Sequence, residues 1–313
     1  VYSTYFEKQT LQPEYNNVRR LRRFRDVTAY KIHESLYSRN MDTRGTNHTR
    51  GVALVTGASA GLGHATAEQL AADGWTVVGA SRRGVGGKNW QGLMMDVDSD
   101  ESVKDGIACI VSEHGQIDGL VAAAGWGLVG SVENTSIPEA KAQMETNFWG
   151  VVRVTNAVLP LLRVNGGGRV VLVSSIGGLI AIPFQAYYSA SKFALEGWAE
   201  ALAYEVKHFN IKITLIEPGN FKTDFTANRR PTALTSDDYR EALKHAIGVM
   251  GHDEIHGADP QLVAKLISKQ LVAKTPRRRV SVGKSGERIG LVAKRLLPHR
   301  LFEAAAKSAL GVK

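Results

Sequence analysis

The sequence predicts an α/β fold, a mostly parallel, doubly wound sheet with helices on both faces. Three observations carry it. From Gly51 onward, short apolar runs alternate with longer segments of helical character. Such alternation builds strand–helix–strand units, whose crossover helices cover both faces of a parallel sheet. The runs Val52-Ala53-Leu54-Val55 and Val170-Val171-Leu172-Val173 are continuously apolar, as strands buried on both faces are. Finally, a glycine-rich turn from Gly57 to Gly63 stands between the first run and the first helix, at the carboxyl edge where open α/β sheets bind ligands.

The elements follow in order. After Val52–Val55 and the turn comes a helix over His64–Asp73, then a strand over Trp75–Ala80. Leu93–Met95 reads as a third strand, Ser102–Glu113 as a helix and Gly119–Ala124 as a fourth strand. A long helix covers Lys141–Val164. Val170–Val173 is the fifth strand, Tyr188–His208 a helix and Ile211–Glu217 the sixth strand. The polar, irregular stretch from Phe221 to Pro260 reads as a long loop, of the kind used as a lid or substrate loop. A helix near Gln261–Lys274, a strand at Arg279–Val282 and a basic helical segment over 285–313, broken at Pro298, close the chain.

The 313 residues suffice for one large domain with a sizeable core. Residues 1–50 are polar, Arg-rich and without a clean period, which predicts a flexible extension or an artefactual one, with Met41 a possible true start. Residues 51–313 then form a single domain. A lone cysteine, Cys109, permits no intramolecular disulfide and fits a reducing, cytoplasmic setting. It is expected to be buried and inert. The nine histidines show no metal-ligand spacing, so no metal site is expected. The net charge of +9 is concentrated at the two ends of the chain rather than along a recognisable motif, and no nucleic-acid partner follows from it. No stretch reads as a transmembrane helix.

The turn Thr56-Gly57-Ala58-Ser59-Ala60-Gly61-Leu62-Gly63 has the makings of a phosphate cradle. Glycines allow tight dihedrals and a close approach, while free N–H groups and the dipole at a helix start favour a pyrophosphate. Its spacing is Gly-x-x-x-Gly-x-Gly, different from the commoner dinucleotide fingerprint. The second strand ends without a carboxylate and is followed by Arg82 and Arg83. A carboxylate there would hold a free ribose 2′-hydroxyl, and an arginine accommodates a 2′-phosphate. That points to NADP(H) over NAD(H); the plain alternative is two solvated arginines.

Tyr188 and Lys192 are four apart and share a face of a helix. A nearby ammonium lowers a phenol's pKa toward a usable range. Ser175 follows the strand Val170–Val173, at the ligand-binding edge. Trp126, Phe184, Phe221 and Phe225 fall in segments expected to border a pocket and suggest an apolar ligand.

Taken together, Thr56-Gly57-x-x-x-Gly61-x-Gly63, Asp96, Gly125, Asn147, Ser175, Tyr188-x-x-x-Lys192 and Pro218-Gly219-x-x-x-Thr223 resemble the short-chain dehydrogenase/reductase family, in its single-domain branch. The resemblance runs from about Gly51 to Thr226 and more loosely beyond. Ser81-Arg82, Phe193-Ala194-Leu195-Glu196-Gly197 and Leu297-Pro298-x-Arg300-Leu301-Phe302 look most like its hydroxysteroid and retinol dehydrogenase-like members. It implies a Rossmann-like sheet of about seven strands and hydride transfer between nicotinamide and a carbonyl or alcohol, the substrate being a steroid, retinoid, lipid or aliphatic carbonyl. It also implies that Ser175, Tyr188, Lys192 and Asn147 are catalytic. Gly57, Ser59, Gly61, Leu62, Gly63, Arg82, Arg83, Asp96, Val97, Gly125, Asn147, Tyr188, Lys192, Pro218, Gly219 and Thr223 would contact the cofactor. Asp96 and Val97 would meet the adenine, and Lys192, with the nicotinamide charge, would lower the Tyr188 pKa. A homodimer or homotetramer is implied as well. One departure is Ala122-Ala123-Ala124-Gly125, where the family carries Asn-Asn-Ala-Gly; it puts local bracing of the sheet in question. The competing reading is a non-catalytic dinucleotide sensor or scaffold of the same fold. The C-terminal apolar and basic residues read first as a helix capping the substrate site, and alternatively as a membrane-surface contact.

Overall fold

The computed structural model describes residues 50–225 and 227–309. The expectation for residues 1–50 falls, Arg50 apart, outside that range.

Among the described residues seven parallel strands form one sheet. In chain order they begin with β1 (Val52–Thr56), β2 (Thr76–Ser81), β3 (Gln91–Met94) and β4 (Gly119–Ala122). β6 (Gly168–Val173), β7 (Ile211–Pro218) and β9 (Arg279–Val282) complete it. Across the sheet the order is β3-β2-β1-β4-β6-β7-β9. Growth reverses between β1 and β4, which opens a crevice at the carboxyl edge.

Burial on both faces explains the continuous apolar runs, and alternate residues of each strand serve different cores. Leu54, Leu120, Leu172 and Leu215 point to one face. That face is covered by α2 (Asp100–His114), α4 (Val151–Val164) and α5 (Ala186–Glu205). Ala53, Val55, Val121 and Val171 point to the other, against α1 (Gly61–Ala72) and α7 (Pro260–Val272). The side chain of Ser99 caps α2, accepting the Ser102 N–H at 3.2 Å, and Gly115 ends that helix at φ +78°.

Four expectations need correction. The stretch 221–260 is not one long loop, for it holds α6 (Asp237–Ile255). Only Leu243 and Ala246 of that helix are buried, too sparse a stripe to show a period in the sequence. The long helix begins earlier and is interrupted. α3 (Ile137–Met144) passes through a π-helical turn, Glu145–Gly150, into α4. β4 stops at Ala122, because the N–H groups of Ala123 and Ala124 both turn to the Thr56 hydroxyl, at 3.1 and 3.2 Å. Cys109 is exposed. The buried stripe of α2 is Val103, Gly106, Ile107 and Ile110, and Cys109 falls off it.

The helix break at Pro298 is as expected, separating α8 (Ser285–Leu296) from α9 (His299–Ala309). A short two-stranded ribbon, β5 (Leu128–Val129) with β8 (Arg230–Pro231), lies outside the main sheet.

Candidate functional site

The carboxyl ends of β1, β4, β6 and β7 converge on a cavity of about 960 Å³. It runs from the turn before α1, across the switch point, to the C-terminal helices.

At one end sits the glycine turn. Gly57 (φ +70°) and Gly61 (φ +56°) occupy the left-handed region that disfavours other residues. A Cβ on Gly63 would lie 2.3 Å from the Gly57 carbonyl oxygen, so the helix packs on the turn only with glycine there. No side chain caps the start of α1 and its first turn carries no acid. Its orphan N–H groups therefore face the cavity and suit a phosphate. Thr56 supplies the bracing that the alanines of Ala122–Ala124 could not, by holding two main-chain N–H groups on one hydroxyl.

Arg82 and Arg83 follow β2 and are exposed at the cavity wall. The Arg83 guanidinium donates to the Ser59 carbonyl at 3.3 Å. Beside them Asp98 accepts from the Thr146 hydroxyl at 2.8 Å. Burial raises its carboxyl pKa despite that bond and the nearby Arg82 charge.

At the deeper end stand Ser175, Tyr188 and Lys192, all buried. Ser175 follows β6 and accepts the Gly177 N–H at 2.9 Å, which fixes its side chain. Tyr188 and Lys192 share a face of α5, as the spacing requires. The Lys192 ammonium donates to the Val173 carbonyl at 2.9 Å and lies 6.0 Å from the centre of the Tyr188 ring. Burial pushes the Tyr188 phenol up to about 12, opposed by a side-chain hydrogen bond with Ser175. Desolvation is the larger effect in the protein alone, whereas the expected lowering, by Lys192 together with the nicotinamide charge, concerns the loaded site. Burial also lowers Lys192 to about 8, opposed by the Glu196 charge. Glu196 itself is raised to about 7, chiefly by burial.

Asn147 lies in the π-helical turn, fully buried behind the cavity wall. Its amide accepts the Trp126 N–H at 3.0 Å and donates to the Trp126 carbonyl at 2.9 Å. A Cβ on Gly125 would fall 3.1 Å from Asn147 Oδ1 and 3.9 Å from Lys192 Nζ. Gly125 thus leaves the small gap between those two side chains open.

Every site residue named from the sequence lines the cavity, with the exception of Asn147 just behind it. Trp126, Phe221 and Phe225 border it as well, and Phe184 does not. The Phe225 ring meets Tyr188 edge-on at 5.7 Å, and the Arg230 guanidinium covers the Trp126 ring at 4.3 Å. The sequence reading missed an ion pair, Arg229 with Glu254 of α6, whose charges reach Tyr188. It also missed Val249 and Met250 of α6 as wall residues, since no local motif marks them. Gly290 of α8 and Phe302 of α9 line the wall as well, in keeping with the expectation that the C-terminal helical segment caps the substrate site.

A family profile described as short chain dehydrogenase matches residues 51–234. The 3-ketodihydrosphingosine reductase of Bacteroides thetaiotaomicron is 38% identical over 261 residues, covering 82% of this chain and 96% of that protein. Retinol dehydrogenase 8 of Bos taurus is 36% identical over 253 residues, 72% of this chain and 80% of its own. Among solved structures, a short-chain dehydrogenase from Streptomyces avermitilis superposes with a TM-score of 0.71 at 30% identity, covering 83% of this chain and 96% of that one.

Proposed function

The chain belongs to the short-chain dehydrogenase family of oxidoreductases, and on that premise we propose that it transfers a hydride between NADP(H) and a carbonyl or alcohol of an apolar substrate. One observation carries the reading. A phenol, a hydroxyl and an ammonium, all buried, meet at the carboxyl end of β6, inside a cavity whose far wall is apolar.

The residues suit a dinucleotide. The α1 start is uncapped and free of acid, and the glycine turn leaves the space that a Cβ would fill. Gly57, Ser59, Gly61, Leu62 and Gly63 would hold the pyrophosphate, with Arg82 and Arg83 at the ribose phosphate and Asp96 and Val97 at the adenine. Gly125, Lys192, Pro218, Gly219 and Thr223 would hold the nicotinamide half. When bound, the nicotinamide supplies or takes up the hydride.

The chain's own groups manage the proton. Tyr188 gives its proton to the substrate oxygen as charge develops there, and takes it back in the reverse direction. Ser175 donates a hydrogen bond to the same oxygen. With the nicotinamide charge beside it, Lys192 would favour the phenolate, and it would hold the ribose. Asn147 fixes Trp126 and the gap beside Lys192, through which a water links that ammonium to solvent. Such acid–base help is worth roughly 10²–10⁴ in rate.

The apolar wall and two relatives named for 3-ketodihydrosphingosine and retinol support a long-chain or polyene-sized substrate. The Arg82 reading favours reduction as the working direction, since cells keep NADP(H) largely reduced. Homo-oligomerisation belongs to the same reading. The test is a panel of long-chain ketones, retinoids, steroids and medium-chain aldehydes, followed by cofactor absorbance. NADPH-dependent turnover of at least one apolar carbonyl is expected. Tight cofactor binding with no turnover of any would favour the sensor or scaffold reading instead.

A further inference from the structure

The two sides of α8 have different tasks. On one side Gly286, Gly290 and Ala293 line the cavity. Glu287 anchors that side by accepting the N–H groups of Asn220 and Lys284, each at 2.8 Å. Lys294 donates to the Leu179 carbonyl and lies 5.3 Å from the centre of the Phe193 ring. The helix is therefore held by its inner side.

Its other side is apolar and faces solvent. Ile289, Val292 and Leu296 recur at spacings that form one stripe, and are 66%, 55% and 76% exposed. Leu297 and Leu301 carry the stripe across the Pro298 break into α9. Isolated exposed apolar residues need no explanation, but a contiguous run does. This one is edged by exposed Arg288, Arg295 and Arg300. From Lys284 to Lys307, both included, there are six Lys or Arg and two Glu. Both acids are engaged, Glu287 as above and Glu303 with Lys307.

We propose that α8 and α9 form a docking surface for an anionic lipid bilayer, set beside the cavity so that an apolar substrate passes from lipid to site. An amphipathic pair with arginines along its edge fits the interface. The apolar stripe reaches the acyl boundary, and the guanidiniums meet lipid phosphates. A purely apolar partner would not call for the basic rim. Among the described residues no helix is long and apolar enough to cross a membrane, so the contact is peripheral. Docking stands on the surface alone, and only the delivery of substrate rests on the oxidoreductase reading above.

The test is co-sedimentation of the full chain with vesicles of phosphatidylcholine, and of phosphatidylcholine mixed with phosphatidylglycerol. Binding to the mixed vesicles is expected, weakened by salt and much lower on the neutral ones. The double variant Val292→Asp/Leu296→Asp should weaken it at least about tenfold, as should Arg288→Glu/Arg295→Glu. Neither pair touches the cavity, so NADPH affinity and melting temperature should hold in both, which separates lost docking from lost folding. Three results would overturn the proposal: no binding to mixed vesicles, binding indifferent to both variants, or a wild-type oligomer that Val292→Asp/Leu296→Asp turns into monomer. Vesicle binding without turnover of any carbonyl would leave docking standing and remove the oxidoreductase reading alone.

Discussion

The Lys192 ammonium donates to the main-chain carbonyl of Val173 at 2.9 Å, and reaches the Tyr188 ring only at 6.0 Å from its centre. The end of β6 thus fixes where the ammonium stands. Tyr188→Phe removes the hydroxyl and keeps the ring against Phe225. Turnover should fall by roughly 10²–10⁴ while NADPH affinity stays nearly unchanged. Lys192→Ala should damage both, because its proposed role includes the ribose. Fluorescence titration and steady-state rates separate the two variants. A Tyr188→Phe rate within about tenfold of wild type, well short of that loss, would remove the tyrosine from the mechanism.

Those residues were legible in the sequence because their signals are local. A spacing of four fixes Tyr188 and Lys192 on one face whatever surrounds the helix, and an apolar run fixes where Ser175 emerges. The opposite wall was legible only in part. The C-terminal segment reads as a cap on the site, where Phe302 does stand, but Met250 reaches the cavity from α6, which buries too few residues to show a period. The π-helical turn that carries Asn147 leaves no mark in composition. Cys109 was misread for a different reason: a general tendency of cysteine to be buried was set above the stripe of its own helix, which excludes it.

Glu196 offers a pH signature. Burial raises its carboxyl to about 7, so between the ordinary carboxyl range and about 7 the folded chain holds a proton that the unfolded chain has lost. Stability from this group is therefore present at lower pH and is lost as pH rises through about 7. Lys192 acts in the opposite sense at higher pH. Its value falls to about 8, so stability rises from there toward the ordinary lysine range. Glu196→Gln should flatten the fall near neutrality and leave the alkaline rise in place. Denaturant melts across pH measure both limbs, and an unchanged slope near neutrality would count against the ionisation of Glu196.

Two glycines make a matched pair. In Gly63→Ala the new Cβ would stand 2.3 Å from the Gly57 carbonyl, so α1 must shift off the turn. A loss of about 1–3 kcal/mol is expected, with weakened cofactor binding. Gly197 lies in α5 with nothing within 4 Å of its Cβ position. There Gly197→Ala should stabilise by roughly 0.4–1 kcal/mol and leave binding alone. Thermal melts with cofactor titrations decide both, and equal behaviour of the two variants would contradict the packing of α1 on its turn.

The cofactor preference rests on Arg82. β2 ends at Ser81 with no carboxylate, and Arg82 stands exposed at the cavity wall with its side chain available to a 2′-phosphate. Asp98 lies within its electrostatic reach, its carboxyl pKa raised chiefly by burial. Arg83 is partly committed to the Ser59 carbonyl and should contribute less. Hydrogen bonds to charged groups are worth about 1.5–3 kcal/mol, and each 1.4 kcal/mol is about tenfold in affinity. NADPH should therefore bind about one to two orders of magnitude more tightly than NADH. Arg82→Ala should remove most of that difference by weakening NADPH and sparing NADH. Calorimetric titration of both reduced cofactors into wild type and variant measures it. Equal wild-type affinities, or an Arg82→Ala variant that loses NADH as severely as NADPH, would leave the arginine as a solvated surface residue and reassign the cofactor.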